Sequence, residues 1–201
     1  MSIKIKIMKK ILIITAIFMF TIINAQQTYS IAYNGNAYIY KNNNKIKDDI
    51  GALDKFVGDW KWTSPTNPNT FLIIHFFKVL DWNPNPSNNY FEDTILGNYR
   101  YVENDLEITN TLNFTELSNV YANNFVSILA NLDNVVPFDN VSINMVDIIK
   151  SKNCKAEFKI VDVNATVQTA TWQMRNTEGI KFKMAVISGF TLPNNIILTK
   201  Q

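Results

Sequence analysis

FVGDWKW, Phe56–Trp62, is the stretch on which the fold turns. Read with a period of two, Phe56, Gly58, Trp60 and Trp62 face one way, and Val57, Asp59 and Lys61 face the other. This is a strand with two indoles and a bare glycine on its inner side. Such a face either packs into a core or forms the wall of a cavity.

Working outward, the chain continues as short β-rich runs separated by turn signals. Leu53–Phe56 is expected to make one helical turn before the strand Phe56–Thr63. Two prolines and two asparagines within residues 64–69 break any ladder there. Thr70–Leu80 is apolar on both faces, which predicts a bulge or cover on both sides. Asp81–Asn89 reads as a Pro/Asn loop that carries Trp82. Thr94–Val102 alternates, with Ile95, Gly97, Tyr99 and Tyr101 on one face. A tight turn at Glu103-Asn104-Asp105 leads into Leu106–Leu112, with Leu106 and Ile108 expected inward.

Residues 116–132 fit a helical stripe as well as a strand. FVSIL and the diluting asparagines favour a strand near Asn124–Leu129. Val141–Ile149, Lys155–Asp162, Val167–Arg175, Ile180–Val186 and Ile196–Lys200 complete the series, with a hairpin turn at Asn176–Gly179. Short strands at roughly ten-residue spacing predict an all-β barrel or sandwich.

The chain opens with Lys4, Lys6, Lys9 and Lys10, then an apolar run from Ile11 to Ile23, then Asn24-Ala25. This is the pattern of a secretory signal peptide over residues 1–25. The apolar run is shorter than the roughly 20 residues a membrane span needs, so no span is expected. Residues 26–52 read as a polar lead-in with a weak strand at Tyr33–Tyr40, and 53–201 as one domain. Removal of the leader takes four lysines and leaves 15 basic against 17 acidic side chains. The near-neutral remainder argues against nucleic acid as a partner.

Cys154 is the single cysteine. It excludes an intrachain disulfide, and the leader holds no thiol for a lipid anchor. It reads as a small residue at a turn rather than a nucleophile, since no base accompanies it. The abundant asparagines read as turn chemistry.

Three features together resemble a family of small exported bacterial proteins of unknown function, lipocalin-like in character. They are LDKFVGDWKWTS at 53–64, LGNYRYVEN at 96–104, and ATWQMRNTEGIKF at 170–182 with FTLPNNIILTK at 190–200. The Gly58-Asp59-Trp60 element is similar to the Gly-x-Trp that opens lipocalin and fatty-acid-binding-type barrels. The resemblance covers roughly residues 53–201. It implies an antiparallel up-and-down β-barrel of about eight to ten strands. It also implies an export route, and the expected destination is the periplasm of a Gram-negative bacterium or beyond, without a lipid anchor. It implies no activity. In lipocalins an arginine late in the barrel packs over the motif tryptophan, and Arg175 is the position that would take that part here. Such a cation–π contact is worth about 1 kcal/mol.

Catalytic chemistry finds little support. His75 is the only histidine and shares a face with Phe71, Ile73 and Phe77. It reads as a partly buried strand histidine with one hydrogen-bond partner, because a zinc site needs three or four ligands. A Ser-His-Asp triad has no motif around it. Glu92-Asp93 and Asp48-Asp49 are neighbours whose side chains diverge on a strand. Phosphate-cradling glycine loops and calcium loops are absent from the sequence. No cofactor, metal or catalytic residue is expected.

The aromatics remain. Gly58, Trp60 and Arg175 are assigned to structure. Trp62, Tyr99, Tyr101, Phe158 and Trp172 are the candidate wall of a site for a small apolar or amphipathic ligand. In a barrel of this size the same residues can instead fill the interior. The expected function is non-covalent ligand binding by a monomer. The alternative is a structural or interaction module of the cell envelope, recognising glycan or protein through the Trp82 loop.

Overall fold

The computed structural model describes residues 26–32, 44–83, 90–112, 128–132 (backbone only), 138–162, 164–176 and 189–201. The expectations for the leader at 1–25, for Tyr33–Tyr40, for 113–127 and for Ile180–Val186 lie outside these residues, as does the hairpin turn beyond Asn176.

Every regular element among the described residues is a strand. They are β1 (Thr28–Ser30), β2 (Lys45–Lys47), β3 (Gly58–Thr63), β4 (Phe71–Trp82), β5 (Phe91–Glu103) and β6 (Leu106–Asn110). There follow β7 (Ile128–Leu132), β8 (Asn140–Asp147), β9 (Lys152–Ile160), β10 (Thr169–Asn176) and β11 (Ile196–Lys200). The eleven form one sheet, in the order β1-β2-β5-β4-β3-β11-β10-β9-β8-β7, with β6 also on β5 and a further pairing of β5 with β7. All-β is therefore the class.

The sheet is mixed rather than purely antiparallel. β1 pairs β2 in parallel, and β2 pairs β5 in parallel through Lys45↔Phe91 and Ile46↔Glu92. The cause is a pair of carboxylates. Asp93 accepts from Lys47 Nζ, the Asp48 amide and the Asp81 amide, each at 3.1 Å. The fully buried carboxylate of Asp48 accepts from the amides of Ala52 (2.6 Å) and Leu53 (3.1 Å) and from Lys78 Nζ (2.7 Å). These bonds draw the polar lead-in onto the sheet, where it adds two strands.

The turn before β3 matches its expectation. Its amides at Asp54, Phe56 and Val57 bond to the carbonyls of Gly51, Leu53 and Asp54, the pattern of a tight turn. Strand β4 carries the expected irregularity: its register with β5 shifts between Val79 and Trp82, and Asp81 takes a φ of 52°. Trp82 is thereby the half-buried last residue of β4, paired with Glu92, and not a loop residue. The β5–β6 turn has positive φ at both Asn104 (51°) and Asp105 (65°), as a two-residue hairpin prefers.

Three local expectations are corrected. Leu106 is 66% exposed, because a shift between Tyr101 and Val102 re-phases β6 and turns Thr109 inward. Cys154 is buried within β9, since the β8–β9 turn comes earlier and the strand begins at Lys152. The strand expected near Asn124–Leu129 is found at Ile128–Leu132, with 124–127 outside the described residues.

Alternation builds the core. Leu72, Ile74 and Phe76 from β4, Val141, Ile143 and Met145 from β8, and Ala156, Phe158 and Ile160 from β9 are all buried. Ala170, Trp172 and Met174 of β10 and Leu198 of β11 join them. Outward neighbours such as Lys155, Lys159, Thr171 and Gln173 are exposed.

Candidate functional site

The inner face of the sheet is dominated by rings around Phe158. Its ring meets Trp60 at 4.9 Å, Phe76 at 5.1 Å and Phe56 at 6.1 Å between centroids, each edge-to-face. All four are fully buried. Gly97 makes the Phe76 position possible: a Cβ there would lie 2.8 Å from the His75 carbonyl oxygen and 2.9 Å from the Phe76 ring. Phe158 is therefore a core residue.

Trp60 satisfies its own polar atom locally. Its Nε1 donates to the Phe56 carbonyl at 2.7 Å, which ties β3 to the turn before it. Gly58 has a φ of 115°, a conformation that glycine alone adopts without strain. The stem of Lys200 passes beside it, with Cε 3.6 Å from where a Cβ would sit.

The cation over Trp60 is Lys200, not Arg175. Lys200 stands opposite Trp60 in the β3–β11 register, with Nζ 5.4 Å from the indole ring. The same ammonium donates to the Lys55 carbonyl at 2.8 Å. Burial holds its pKa below the usual lysine value. Arg175 instead sits on the outer face, 67% exposed, and donates to Glu157 at 2.9 Å. The signal for Lys200 was present in the sequence: Ile196, Leu198 and Lys200 share a parity on β11.

The remaining candidate wall residues divide. Tyr99 is buried, donates to the Val146 carbonyl at 3.1 Å and accepts from the Ile148 amide at 3.4 Å. Burial pushes its pKa up to about 12, so it stays a neutral phenol. Tyr101 is buried, across from Leu72, which pairs with Trp62 on its other side. Trp62 packs against the core yet is only half-buried. Trp172 is fully buried between Phe158 on β9 and Ile196 on β11. Trp62, Leu72 and Tyr101 thus form one row across three strands, and Trp172 lies in another with Phe158.

On the outer face, His75 Nδ1 lies 2.6 Å from Asp59 Oδ1, a cross-strand pair with both side chains about half exposed. The His75 ring stacks on Phe77 at 5.9 Å. The pair is a surface contact that ties β3 to β4. Glu92 is a carboxyl whose pKa burial raises, to about 7. Among the described residues, no group of three or more His, Cys, Asp or Glu side chains is placed to hold a metal ion. Nor, among them, is any helix long and apolar enough to cross a membrane.

No curated protein and no solved structure matches this chain. A family model does match, over residues 8–201, nearly the whole length. The chain belongs to the family of unknown function DUF6705.

Proposed function

We propose that the protein is an exported, lipocalin-like β-barrel that binds a small apolar or amphipathic molecule non-covalently in its interior. Support for the barrel comes from the pairings. From β5 they run through β4, β3, β11, β10, β9, β8 and β7, and β7 pairs β5 again through Ile95↔Ala130, Leu96↔Leu129 and Gly97↔Ile128. Eight strands joined in a ring leave an interior just wide enough for side chains or for one small ligand. Support for export is the leader pattern of residues 1–25.

The observation that carries the binding reading is Trp62. It lies on the inner face beside the buried Leu72 and in one row with the buried Tyr101, yet its indole is only half covered. A large ring at an inner position that solvent still reaches is a surface on which an apolar molecule gains burial, at about 25 cal/mol per Å².

Native mass spectrometry of the protein purified from the cell that makes it tests this. A co-purifying small molecule, lost on Trp62→Ala, is the expected result. Ligand-free protein alone, before and after incubation with a lipid extract of the same cell, overturns it.

A further inference from the structure

One of the buried donors on the inner face is left by packing without a task. Trp172 is fully buried, and its Nε1 donates to nothing among the described residues. The other buried aromatic donors behave differently: Trp60 Nε1 reaches the Phe56 carbonyl at 2.7 Å, and the Tyr99 hydroxyl reaches the Val146 carbonyl at 3.1 Å. Buried donors are paired as a rule, because an unpaired one forfeits its hydration for nothing. Phenylalanine at this position would fill the core without that cost.

The surroundings of Trp172 show what the N–H could meet. Its strand neighbours on the inner face are Ala170 and Met174, and β9 places Ala156 opposite Met174. Ala156 and Ala170 are both buried and stop at Cβ. Directly across the sheet stand Phe158 and Ile196, so the small positions beside the indole are Ala170 along the strand and Ala156 on the diagonal. We propose that Trp172 Nε1 is the polar anchor of the interior site, and that it selects molecules with a neutral hydrogen-bond acceptor, a ketone, ester or ether oxygen, on an apolar body. A single neutral N–H does not offset the desolvation of a carboxylate, so a charged acceptor is disfavoured. This inference rests on the interior-binding reading above.

The test uses two probes of one shape, acetophenone and isopropylbenzene, which differ in a carbonyl oxygen. Their affinities are measured by calorimetric titration for the wild-type protein and for Trp172→Phe. Wild type should bind acetophenone about ten-fold more tightly, the worth of one neutral hydrogen bond. Trp172→Phe should bind both probes alike and keep the wild-type affinity for isopropylbenzene. Equal affinities in wild type, or a preference that survives in Trp172→Phe, overturns the anchor while leaving interior binding intact. Failure of both probes to bind overturns the interior reading and the anchor with it. Should Trp172→Phe not fold, the indole N–H resonance of Trp172 in ¹⁵N-labelled wild type decides. It should move on addition of acetophenone and stay in place with isopropylbenzene; no movement with either refutes the anchor.

Discussion

Gly58→Ala separates two explanations of the Gly-x-Trp element. One is that a side chain at residue 58 would collide with the interior; the other is that the backbone alone demands glycine. The geometry favours the backbone. A Cβ at Gly58 would come no closer than 3.6 Å to Lys200 Cε, an ordinary contact, while φ is 115°. Holding an L-residue in such a region costs about 1–3 kcal/mol. For a domain of this length that lowers the melting temperature by roughly 2–4 °C per kcal/mol. Because the cost is not steric, it should add to that of Lys200→Ala, to within about 0.5 kcal/mol in a double-mutant cycle. Urea unfolding of the four proteins, followed by tryptophan fluorescence, measures this. Either of two results refutes the reasoning. One is a Gly58→Ala protein within about 0.5 kcal/mol of wild type. The other is Lys200→Ala restoring most of the lost stability, which would put the cause in a collision.

Phe158→Ala should lose about 3–5 kcal/mol, because it empties the centre of a four-ring cluster; the urea midpoint reads it, and Phe158→Leu should lose distinctly less. Lys200→Met should cost about 1–2 kcal/mol, since the Lys55 carbonyl loses its charged donor. Arg175→Ala, which breaks an exposed pair, should cost under about 1 kcal/mol, and thermal melts of the two variants side by side check the order. Glu92 predicts a pH dependence. Its native pKa of about 7 lies above its ordinary 4.5, so the folded chain holds the extra proton between those values. Stability then falls as pH rises from about 4.5 to 7 and stays low above. Glu92→Gln should flatten that slope and be roughly 1–3 kcal/mol more stable than wild type at about pH 8, as unfolding curves across pH would show.

Alternation made β3, β5 and β9 legible. Lys155, Glu157 and Lys159 against Ala156, Phe158 and Ile160 leave no doubt which face is inner. Parity also holds the answer for the cation over Trp60. Arg175 is one residue out of phase with Trp172 and Met174, whereas Lys200 is in phase with Leu198; the family resemblance pointed to the arginine against that parity. The face of β6 was hidden because a register shift changes parity, and the shift depends on a partner strand, not on local sequence. The docking of β2 was hidden for a different reason. It rests on Asp93 and Asp48 capturing amides and ammonium groups, and a buried carboxylate at these positions looks, in sequence, like a solvated one. Trp172 was named among the wall residues from its face alone; its unpaired N–H is visible only once the other donors are placed.

The position of β11 bears on how the chain reaches this state. The strand between β3 and β10 is made of residues 196–200, and the Lys200 and Gln201 amides bond to the Gln168 and Asp59 carbonyls. Until those residues are free to pair, β3 and β10 each present an open edge, the kind that recruits strands from other chains. A chain halted before residue 196 can build the β8–β9–β10 meander and the β3–β4–β5 meander but cannot join them through β11. Closing the seam between β3 and β10 is then a late step over a span of about 140 residues of chain, of the long-range kind that folds slowly. During it, Lys200 has yet to cover Trp60, so the indole of β3 is among the last to be shielded.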